Sequence, residues 1–520
     1  MAERLLGVET EYAISAMQGR EAAARVPVIR RLMELAHATL PNVRDGSSCG
    51  LFMENGGRLY LDCGMHVEFS TPECVNPWDA VRYVEAGHQT MLKLIERFSA
   101  ICAPGLETAC YRVNVDYGGN CATWGCHESY QHRVNPALLP PQLIPHLVTR
   151  MIYTGAGGFD PFSDGLKFTL SPRAAHIERA ISSDSTSERG IFHTKDEPLC
   201  ADYHRLHVLC GESLCSQLAM FVKLGATSLV VAMAEAGLAP GDQVQLDSPL
   251  NALRTVAGDL TLKRQLEMKG LARKTAIEIQ RHYLEMAEAH LGDDFMPPWA
   301  PVVCQQWRRV LDLLDRGPAA AAGALDWPTK LPLFLRHAER RGLTWSRLAF
   351  WNALLERMRK AMQLPPDGSQ FPLEHAVGPE TPIPDLVKRI NALLRRKGFD
   401  WDELKQALAL RSEFFEIDMR FGQLGPQGLF SMLDEAGVLD HRVSGIDNIE
   451  HAMRNPPATG RARLRGAVIK RVAGDREGEW CCTWQRIYSQ RHGRLLDLSD
   501  PFAKEELWQD QPVEEGACVF

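Results

Sequence analysis

The stretch GGRLYLDCGMHVEF, residues 56–69, alternates between ionisable and mostly apolar side chains. Its ionisable, even-numbered positions are Arg58, Tyr60, Asp62, His66 and Glu68. Because successive side chains of a β-strand point to opposite faces, the alternation predicts one or two strands with one core face and one polar face. A solvated sheet face is the usual explanation, but two carboxylates beside an arginine, a tyrosine and a histidine favour a site that does chemistry.

The N-terminal stretch GVETEYAI has the same pattern, with Glu9 and Glu11 on one face of a predicted strand. Carboxylates two residues apart on a strand lie about 6–7 Å from each other and raise each other's pKa unless a cation is present. Mg²⁺ prefers oxygen ligands and neutralises polyphosphate charge in phosphoryl transfer. The two glutamates therefore predict either a metal site or a solvated edge strand.

Later stretches add cationic groups to these carboxylates. His127 lies in WGCHESY, and Arg205 and His207 share one face of the predicted strand in YHRLHVL. Cations beside clustered carboxylates suggest a site for an anionic substrate. The sequence contains no Walker-type phosphate loop and no complete G-x-G-x-x-G motif. If ATP is bound, the carboxylate-lined sheet must hold it.

The composition is that of an ordinary globular protein. The 520 residues carry a formal net charge of −7 and no dominant basic run, so a nucleic-acid partner is not predicted. The start MAERLLGVETEYAI has charges within its apolar run, which excludes a signal peptide. The longest apolar stretch contains Lys223 and predicts a buried helix, with no membrane span. These features predict a cytoplasmic protein.

The pattern of periodicity divides the chain into three predicted regions. Residues 1–340 combine strand-like and helical stretches and form the expected catalytic domain. Residues 341–415 contain a connector with six prolines and predicted helices, and they form an expected insertion. Residues 416–520 form an expected small C-terminal domain, with strands predicted in ARLRGAVIKRV and EWCCTWQRIYSQ.

Several motifs, in order along the chain, resemble those of the Pup ligase and Pup deamidase/depupylase family. They are GVETEY, NGGRLYLDCGMHVEF, GCHESY, RGIFHTKDEP followed by YHRLHVL, and NPPATGRARLRG. The similarity extends from Leu5 to about Phe502, and the segment from about 340 to 415 looks longer than the family pattern. The family is a branch of the carboxylate–amine ligases, related to glutamine synthetase and glutamate–cysteine ligase.

The resemblance implies an α+β fold with a glutamine synthetase-like curved antiparallel sheet that cradles ATP and Mg²⁺, packed with helices, plus a small C-terminal domain. It implies that Asp62 is the catalytic base. The expected metal-site residues are Glu9, Glu11, Tyr60, Glu68 and His207. The expected nucleotide contacts are Arg58, Thr71, Trp484, Arg205 and His127.

One of these expectations conflicts with a straight strand. Tyr60 and Glu68 are eight residues apart, about 27 Å along an extended chain, which is too far for one metal site. The chain must therefore turn near Gly64, where glycine would permit it, or the two side chains serve different ions.

The chemistry implied by the family begins with conversion of a glutamyl carboxylate to an acyl phosphate by ATP, followed by attack of a lysine amine. The amine, with a pKa of about 10.4, arrives protonated, so a base must remove a proton, and Asp62 is expected to do so. The implied partners are a Pup-like small protein ending in Glu or Gln and a lysine-bearing protein acceptor.

The direction of the reaction stays open at this point. The Asp62–Glu68 spacing resembles the ligase pattern, and the stretch between Glu11 and Arg58 is short for a deamidase. The stretches STPECVNPWDAV and LDWPTKL look more like the deamidase branch. We expect a ligase. The alternatives are a Pup deamidase or depupylase, a small-molecule glutamate–amine ligase and a catalytically silent regulator.

The basic stretch GRARLRG carries a further expectation. Arg461, Arg463 and Arg465 stand at two-residue steps and would share one face of a strand. Such a face is expected either to attract an acidic protein partner or to be merely solvated.

Overall fold

The computed structural model describes residues 4–19, 21–117, 122–163, 166–183, 188–193, 203–347, 401–475 and 478–510, with isolated positions between 351 and 398. These residues form an α+β fold in which a 15-stranded sheet curls and packs against helices. The predicted fold class is confirmed. Most of the predicted insertion, 341–415, lies outside the described residues.

The strands are β1 (Leu6–Gln18), β2 (Glu21–Ala22), β3 (Asn42–Asp45), β4 (Leu51–Met53), β5 (Arg58–Leu61), β6 (Val67–Ser70), β7 (Glu107–Tyr111), β8 (Cys126–His132), β9 (Gly158–Phe159), β10 (Phe168–Thr169), β11 (Arg179–Ser182), β12 (Gly190–His193), β13 (His204–Val208), β14 (Leu266–Glu267), β15 (Arg273–Lys274), β16 (Trp480–Cys482), β17 (Arg486–Ser489), β18 (Arg494–Asp497) and β19 (Leu507–Asp510). The main sheet has the order β11-β12-β13-β8-β1-β6-β5-β4-β3-β16-β17-β18-β19, and β2 and β7 also pair with β1. Adjacent strands of this sheet pair antiparallel, except for the parallel pairs β11–β12 and β3–β16.

The helices are α1 (Arg25–Thr39), α2 (Pro77–Ile101), α3 (Leu139–Thr149), α4 (Met151–Thr154), α5 (Gln217–Glu235), α6 (Pro249–Ala257), α7 (Ala276–Ala289), α8 (Ala300–Asp315), α9 (Asp326–Arg340), α10 (Trp401–Phe421), α11 (Leu429–Glu435), α12 (Ile449–Arg454) and α13 (Gly460–Val472). Local sequence explains several of their starts. Asn76 caps α2 by accepting a hydrogen bond from Asp79 N, and α7 begins with a capping box of Thr275 and Glu278.

Helix α5 forms part of the core behind the sheet. It is long and apolar enough to span a bilayer, but its whole apolar window is buried within the fold, as the sequence predicted. Lys223, in its middle, is fully buried and lies 3.4 Å from the carboxylate of Glu128 on β8. A buried cation with a carboxylate partner is what a core helix tolerates.

Strand β1 lies in the middle of the sheet, so the edge-strand alternative for GVETEYAI is wrong. It pairs with β6 on one side and with β8 on the other. Glu9 lies opposite Ser70 and His127, and Glu11 lies opposite Glu68. The polar face of β1 therefore continues onto both neighbouring strands.

The stretch from 56 to 69 forms a hairpin, which resolves the conflict between Tyr60 and Glu68. Strands β5 and β6 pair antiparallel with Tyr60 directly opposite Glu68. The turn falls near Gly64 as predicted, but the residue with a positive φ is Met65, at 61°. A Cβ at Gly64 would lie 3.3 Å from both carboxylate oxygens of Asp62, so glycine there permits close approach of the carboxylate.

The expected strand in GRARLRG is wrong, because these residues form helix α13. Arg461 and Arg465, four residues apart, lie on the same buried face of this helix and are 0% exposed. Arg463 points elsewhere and donates a hydrogen bond to the Lys504 carbonyl oxygen. The three arginines therefore do not form a common docking face.

The C-terminal part of the chain is continuous with the rest of the fold. EWCCTWQRIYSQ forms the predicted strands, β16 and β17, and β16 pairs with β3. Helix α10 runs through residue 415 without a break. The domain limits at 340/341 and 415/416 stay a prediction.

Candidate active site

The polar faces of β1, β5, β6, β8 and β13 form the floor of one cleft of about 1180 Å³. This volume exceeds the upper end of the usual range for small-molecule sites, about 300–1,000 Å³. The expected site residues that line it are Glu9, Glu11, Arg58, Tyr60, Asp62, Glu68, Thr71, His127, Arg205, His207 and Trp484. Every residue expected at the site from the sequence is therefore found in one cleft.

The centre of the floor is a row formed by Glu11, Glu68 and Tyr60 on adjacent strands. Burial, followed by the negative charges of Glu9 and Glu11, raises the pKa of Glu68 well above its ordinary value. Among the described residues, no hydrogen-bond partner contacts the buried Oε1 of Glu68. A buried carboxylate oxygen without a partner is costly, so this position favours a bound cation.

Glu9 lies beside this row and already has cationic neighbours. Arg205 Nη2 donates to its Oε1 at 2.7 Å, and His207 Nε2 lies 3.3 Å from its Oε2. Burial raises the pKa of Glu9, but the charge of Arg205, followed by contributions from His207 and His127, more than offsets this. The pKa therefore lies well below its ordinary value, and Glu9 is ionised.

The two histidines near Glu9 present ring nitrogens to it. Burial and the charge of Arg205 lower the pKa of His207 to about 3, so its imidazole is neutral and retains a lone pair. His127 Nδ1 lies 3.7 Å from Glu9 Oε2. A Cβ at Gly125 would lie 2.4 Å from His127 Nε2, so the imidazole fits only because residue 125 is glycine.

The donors of the central cluster fit Mg²⁺. Two groups of side chains in the described structure each bring one donor atom apiece within 4.8 Å of one another: Glu9, His127 and His207; and Glu11, Glu68 and His127. Glu11, Asp62 and His66 are equally close to one another, but there the imidazole of His66 pairs with the two carboxylates. Carboxylate oxygens are the ligands that Mg²⁺ prefers, and a divalent cation would offset the repulsion among these acidic groups. Burial and the charges of Glu68 and Glu9 raise the pKa of Tyr60 well above its ordinary value, so its phenol stays neutral without a cation.

Asp62 lies at the end of β5 and is joined to the cluster through His66. Asp62 Oδ1 accepts a hydrogen bond from His66 N at 2.6 Å, and its Oδ2 lies 3.5 Å from His66 Nδ1. The same Nδ1 lies 3.0 Å from Glu11 Oε2. Burial lowers the pKa of His66, but the hydrogen bonds to Asp62 and Glu11 outweigh burial and raise this pKa to about 9.

An imidazolium between two carboxylates keeps Asp62 in the form that a base requires. Burial raises the pKa of Asp62, but hydrogen bonds from the side chain and backbone of His66 outweigh this and lower it. The side chain of Asp62 is partly exposed and lines the cleft, so a substrate can approach its carboxylate. The carboxylate is thus both ionised and exposed to the cleft.

Three of the five expected nucleotide contacts, Arg58, Thr71 and Trp484, lie apart from Glu9, whereas Arg205 and His127 lie beside Glu9. Arg58 donates to Asp45 Oδ2 at 2.6 Å and to Ser48 Oγ at 2.8 Å, and its guanidinium lies 4.0 Å from the Tyr60 ring centroid. Thr71 is buried, and its Oγ1 accepts a hydrogen bond from Val8 N. Trp484 follows β16 and packs edge-on against a buried phenylalanine. An arginine and an aromatic ring are suitable contacts for phosphate and base, respectively.

Behind Trp484 lies an ion-pair cluster in which two arginines are fully buried and Glu73 is 12% exposed. Glu73 binds Arg461 through its Oε1 at 2.6 Å and also pairs with Arg465. Arg465 donates to the Gly56 carbonyl oxygen at 2.9 and 3.0 Å and lies 4.8 Å from the Trp484 ring centroid. Helix α13 therefore supports the wall that carries Trp484.

Glu128, the residue after His127 in WGCHESY, points to the opposite face of the sheet, where it accepts hydrogen bonds from Arg150 at 2.6 and 2.8 Å. His66 was not among the expected site residues but belongs to the site. The only signal for it in the sequence was its place among the ionisable side chains at the even-numbered positions of residues 56–69. Arg173 also lines the cleft, and no spacing in the sequence pointed to it.

Comparison with known proteins agrees with this geometry. The family model described as Pup-ligase protein matches residues 4–355 and 387–488. The Pup–protein ligase of Acidimicrobium ferrooxidans is 32% identical over 517 residues, which cover 97% of each chain. That of Rhodococcus opacus is 34% identical over 512 residues, which cover 96% of this chain and 97% of that protein.

Solved structures share the fold. The structure of the complex between the prokaryotic ubiquitin-like protein Pup and its ligase PafA has a TM-score of 0.71 and 24% identity, with 96% of this chain and 90% of that chain covered. The structure of the Pup ligase PafA in complex with ADP has a TM-score of 0.65 and 24% identity. Together with the family model and the curated relatives, the cleft leads to one conclusion: this chain belongs to the Pup-ligase family.

Proposed function

We propose that this protein is an ATP- and Mg²⁺-dependent ligase that joins the C-terminal glutamate of a small Pup-like protein to a lysine amine of an acceptor protein. The two relatives named above are Pup–protein ligases, and this chain matches each of them over nearly its whole length. This match supports ligation over hydrolysis. This agrees with the six-residue spacing from Asp62 to Glu68.

The observation that carries the proposal is the environment of Glu68. Its carboxylate is buried, has one oxygen without a partner among the described residues, and lies next to Glu11. A site with this excess of buried negative charge favours a divalent cation, and one purpose of such a site is phosphoryl transfer. In that role Mg²⁺ would neutralise polyphosphate charge, held by Glu9, Glu11 and Glu68.

The protein's own residues orient the reactants. Trp484 and Thr71 hold the nucleotide at one end of the cleft, and Arg58 is fixed toward it by Asp45 and Ser48. A nucleotide bound in this way would direct its γ-phosphoryl group toward the central carboxylate row. Arg205, which bonds Glu9, lies on the far side of that row and can stabilise the charge that develops during transfer.

Asp62 acts in the second half of the reaction. The lysine arrives as an ammonium ion, and Asp62 removes a proton as the amine attacks the activated carboxyl carbon. Phosphate leaves, and an isopeptide bond forms. His66 holds the Asp62 carboxylate ionised and oriented through its backbone and side-chain contacts.

The test is the stoichiometry of ATP use. Purified protein is given ATP, Mg²⁺, a Glu-ended Pup-like protein and a lysine-bearing acceptor, and adduct and ADP are quantified together. We expect one ADP for each isopeptide adduct, because an acyl phosphate consumes one ATP. Cleavage of a preformed conjugate or of a Gln-ended protein, with ATP unspent and no adduct formed, would assign the protein to the hydrolytic branch instead.

A further inference from the structure

Arg173, in the short 3₁₀ helix Pro172–His176, is a buried cation that lines the cleft. Its Nη1 donates to Thr123 Oγ1 at 2.7 Å, and its Nη2 donates to the Leu209 carbonyl oxygen at 3.0 Å. Its Nε has no hydrogen-bond partner in the described structure, although the side chain is only 2% exposed. The two hydrogen bonds that the described structure gives its side chain therefore go to neutral acceptors, and one of its three nitrogens, Nε, has no acceptor.

Among the described residues, no carboxylate forms an ion pair with the Arg173 guanidinium. The buried carboxylate of Glu212 accepts a hydrogen bond from the backbone N of Arg173 and not from its guanidinium. Burial lowers the pKa of Arg173, and although Glu11 raises it and Arg189 lowers it further, the net pKa is below the ordinary value. Buried charges are normally paired, so this arginine resembles half of an ion pair whose partner is a ligand.

The pKa of His176 also indicates a positive potential near Arg173. Burial, followed by the charges of Arg173 and Arg189, lowers the pKa of His176 to about 4. Arg189 also lines the cleft, and it belongs to the stretch that leads into β12. This end of the cleft is therefore electropositive, in contrast to its acidic centre.

The order of the strands separates this end from the nucleotide. Arg58 lies on β5 and Trp484 follows β16, and both strands are on one side of the central pair β1 and β6. Arg173 is held by Thr123, which precedes β8, and by Leu209, which follows β13. Both of these strands are on the other side of the central pair. An anion at Arg173 thus lies across the carboxylate row from the nucleotide.

We infer that Arg173 binds the α-carboxylate of the substrate's C-terminal glutamate. The inference rests on the proposed function. A C-terminal glutamate has two carboxylates, and only the side-chain group, the one whose amide a deamidase would cleave, is activated. The other keeps its negative charge in a cleft whose centre is acidic, so it needs a cation. Arg173 offers this charge and an unused N–H donor.

The test compares two forms of one substrate. A Glu-ended Pup-like protein is prepared with a free α-carboxylate or with an α-carboxamide, and ligation is measured with saturating ATP. We expect the wild type to prefer the free acid by roughly 10- to 100-fold in kcat/KM, the scale of one hydrogen bond to a charged group. In Arg173→Gln the free acid should fall to the level of the amide, so that the ratio approaches one. Arg173→Lys, which keeps the charge but loses the planar fork, should give an intermediate ratio.

Arg58→Gln is the matched control at the nucleotide end. It should raise the KM for ATP and leave the acid-to-amide ratio unchanged. Equal ligation of both substrates by the wild type, which needs no variant, would overturn the inference. So would a preserved ratio in Arg173→Gln together with a raised KM for ATP, because the anion would then be a nucleotide phosphate. If the wild type ligates neither substrate, the proposed function itself fails.

Discussion

Tyr60 and Glu68 lie directly opposite each other on antiparallel strands, although eight positions separate them in the sequence. The pairing gives one face of the hairpin an unbroken row of polar groups, which β1 extends through Glu11. The row has more buried negative charge than the described side chains neutralise, as the raised pKa of Glu68 indicates.

Asp62→Asn should lower turnover by at least about 100-fold, because general base catalysis contributes roughly 10²–10⁴. The groups that hold nucleotide and metal remain, so ATP affinity measured by calorimetry should change little. The measurement is single-turnover adduct formation at saturating ATP. Turnover close to the wild type would show that another group removes the proton.

Glu68→Gln should have opposite effects with and without Mg²⁺. In the metal-free protein it removes a carboxylate that burial and its neighbours Glu9 and Glu11 destabilise, so the thermal midpoint should be unchanged or higher. The rise in midpoint produced by Mg²⁺ with ATP should shrink, since a hard oxygen ligand is lost.

Glu128→Gln is the matched control for that experiment. It removes a buried carboxylate on the opposite face, paired with Arg150 and Lys223. This variant should lower the metal-free midpoint and leave the effect of Mg²⁺ intact, because it breaks a buried ion pair on the face of the sheet opposite to the cleft. A larger loss of the Mg²⁺ effect in Glu128→Gln than in Glu68→Gln would contradict the metal assignment.

Stability should fall in acid through Glu73. Burial raises the pKa of Glu73, but Arg465 and Arg461 outweigh this and lower it to about 2. Because the folded-state pKa is below the unfolded value of 4.5, the stabilisation is present above about pH 4.5 and is lost as the pH falls toward 2. The shift corresponds to about 3 kcal/mol. Urea unfolding of the wild type and Glu73→Gln at pH 7 and pH 3 should show a difference that is smaller at pH 3.

Trp484→Ala should raise the KM for ATP roughly 10-fold or more, because stacking of a base on an aromatic ring contributes about 1–3 kcal/mol. The kcat should change much less, since the catalytic groups are on other strands. Trp480→Ala is the matched control: Trp480 packs on His492 and Trp508 and does not line the cleft. Equal changes in KM for both variants would remove Trp484 from the nucleotide site.

Period-two patterns predicted the floor of the cleft because it consists of strands. Glu9 and Glu11 share a face of β1, and Arg205 and His207 share a face of β13, as alternation requires. The neighbours across strands were not predictable from periodicity. That Glu9 lies between Ser70 and His127 depends on sheet order, and only the family resemblance implied a common site.

The basic stretch shows where the same reasoning fails. Arginines at 461, 463 and 465 satisfy a two-residue period, but 461 and 465 also satisfy the four-residue step of a helix. Tertiary contact decides between the two, because both arginines meet Glu73, nearly 400 positions earlier. Arg173 was missed for a related reason. The role we infer for it depends on its burial without a carboxylate partner, which only the tertiary structure reveals.

The parallel pairing of β16 with β3 makes the nucleotide end the last part of the cleft to be completed during synthesis. Gly56 and its buried partner Arg465 are 409 positions apart, and Trp484 follows later still. A nascent chain can form the carboxylate floor early, but its nucleotide wall is missing until the C-terminal strands leave the ribosome. Such distant contacts also slow folding. Chains interrupted before β16 should therefore lack the nucleotide wall and consume no ATP, even where their carboxylate floor has formed.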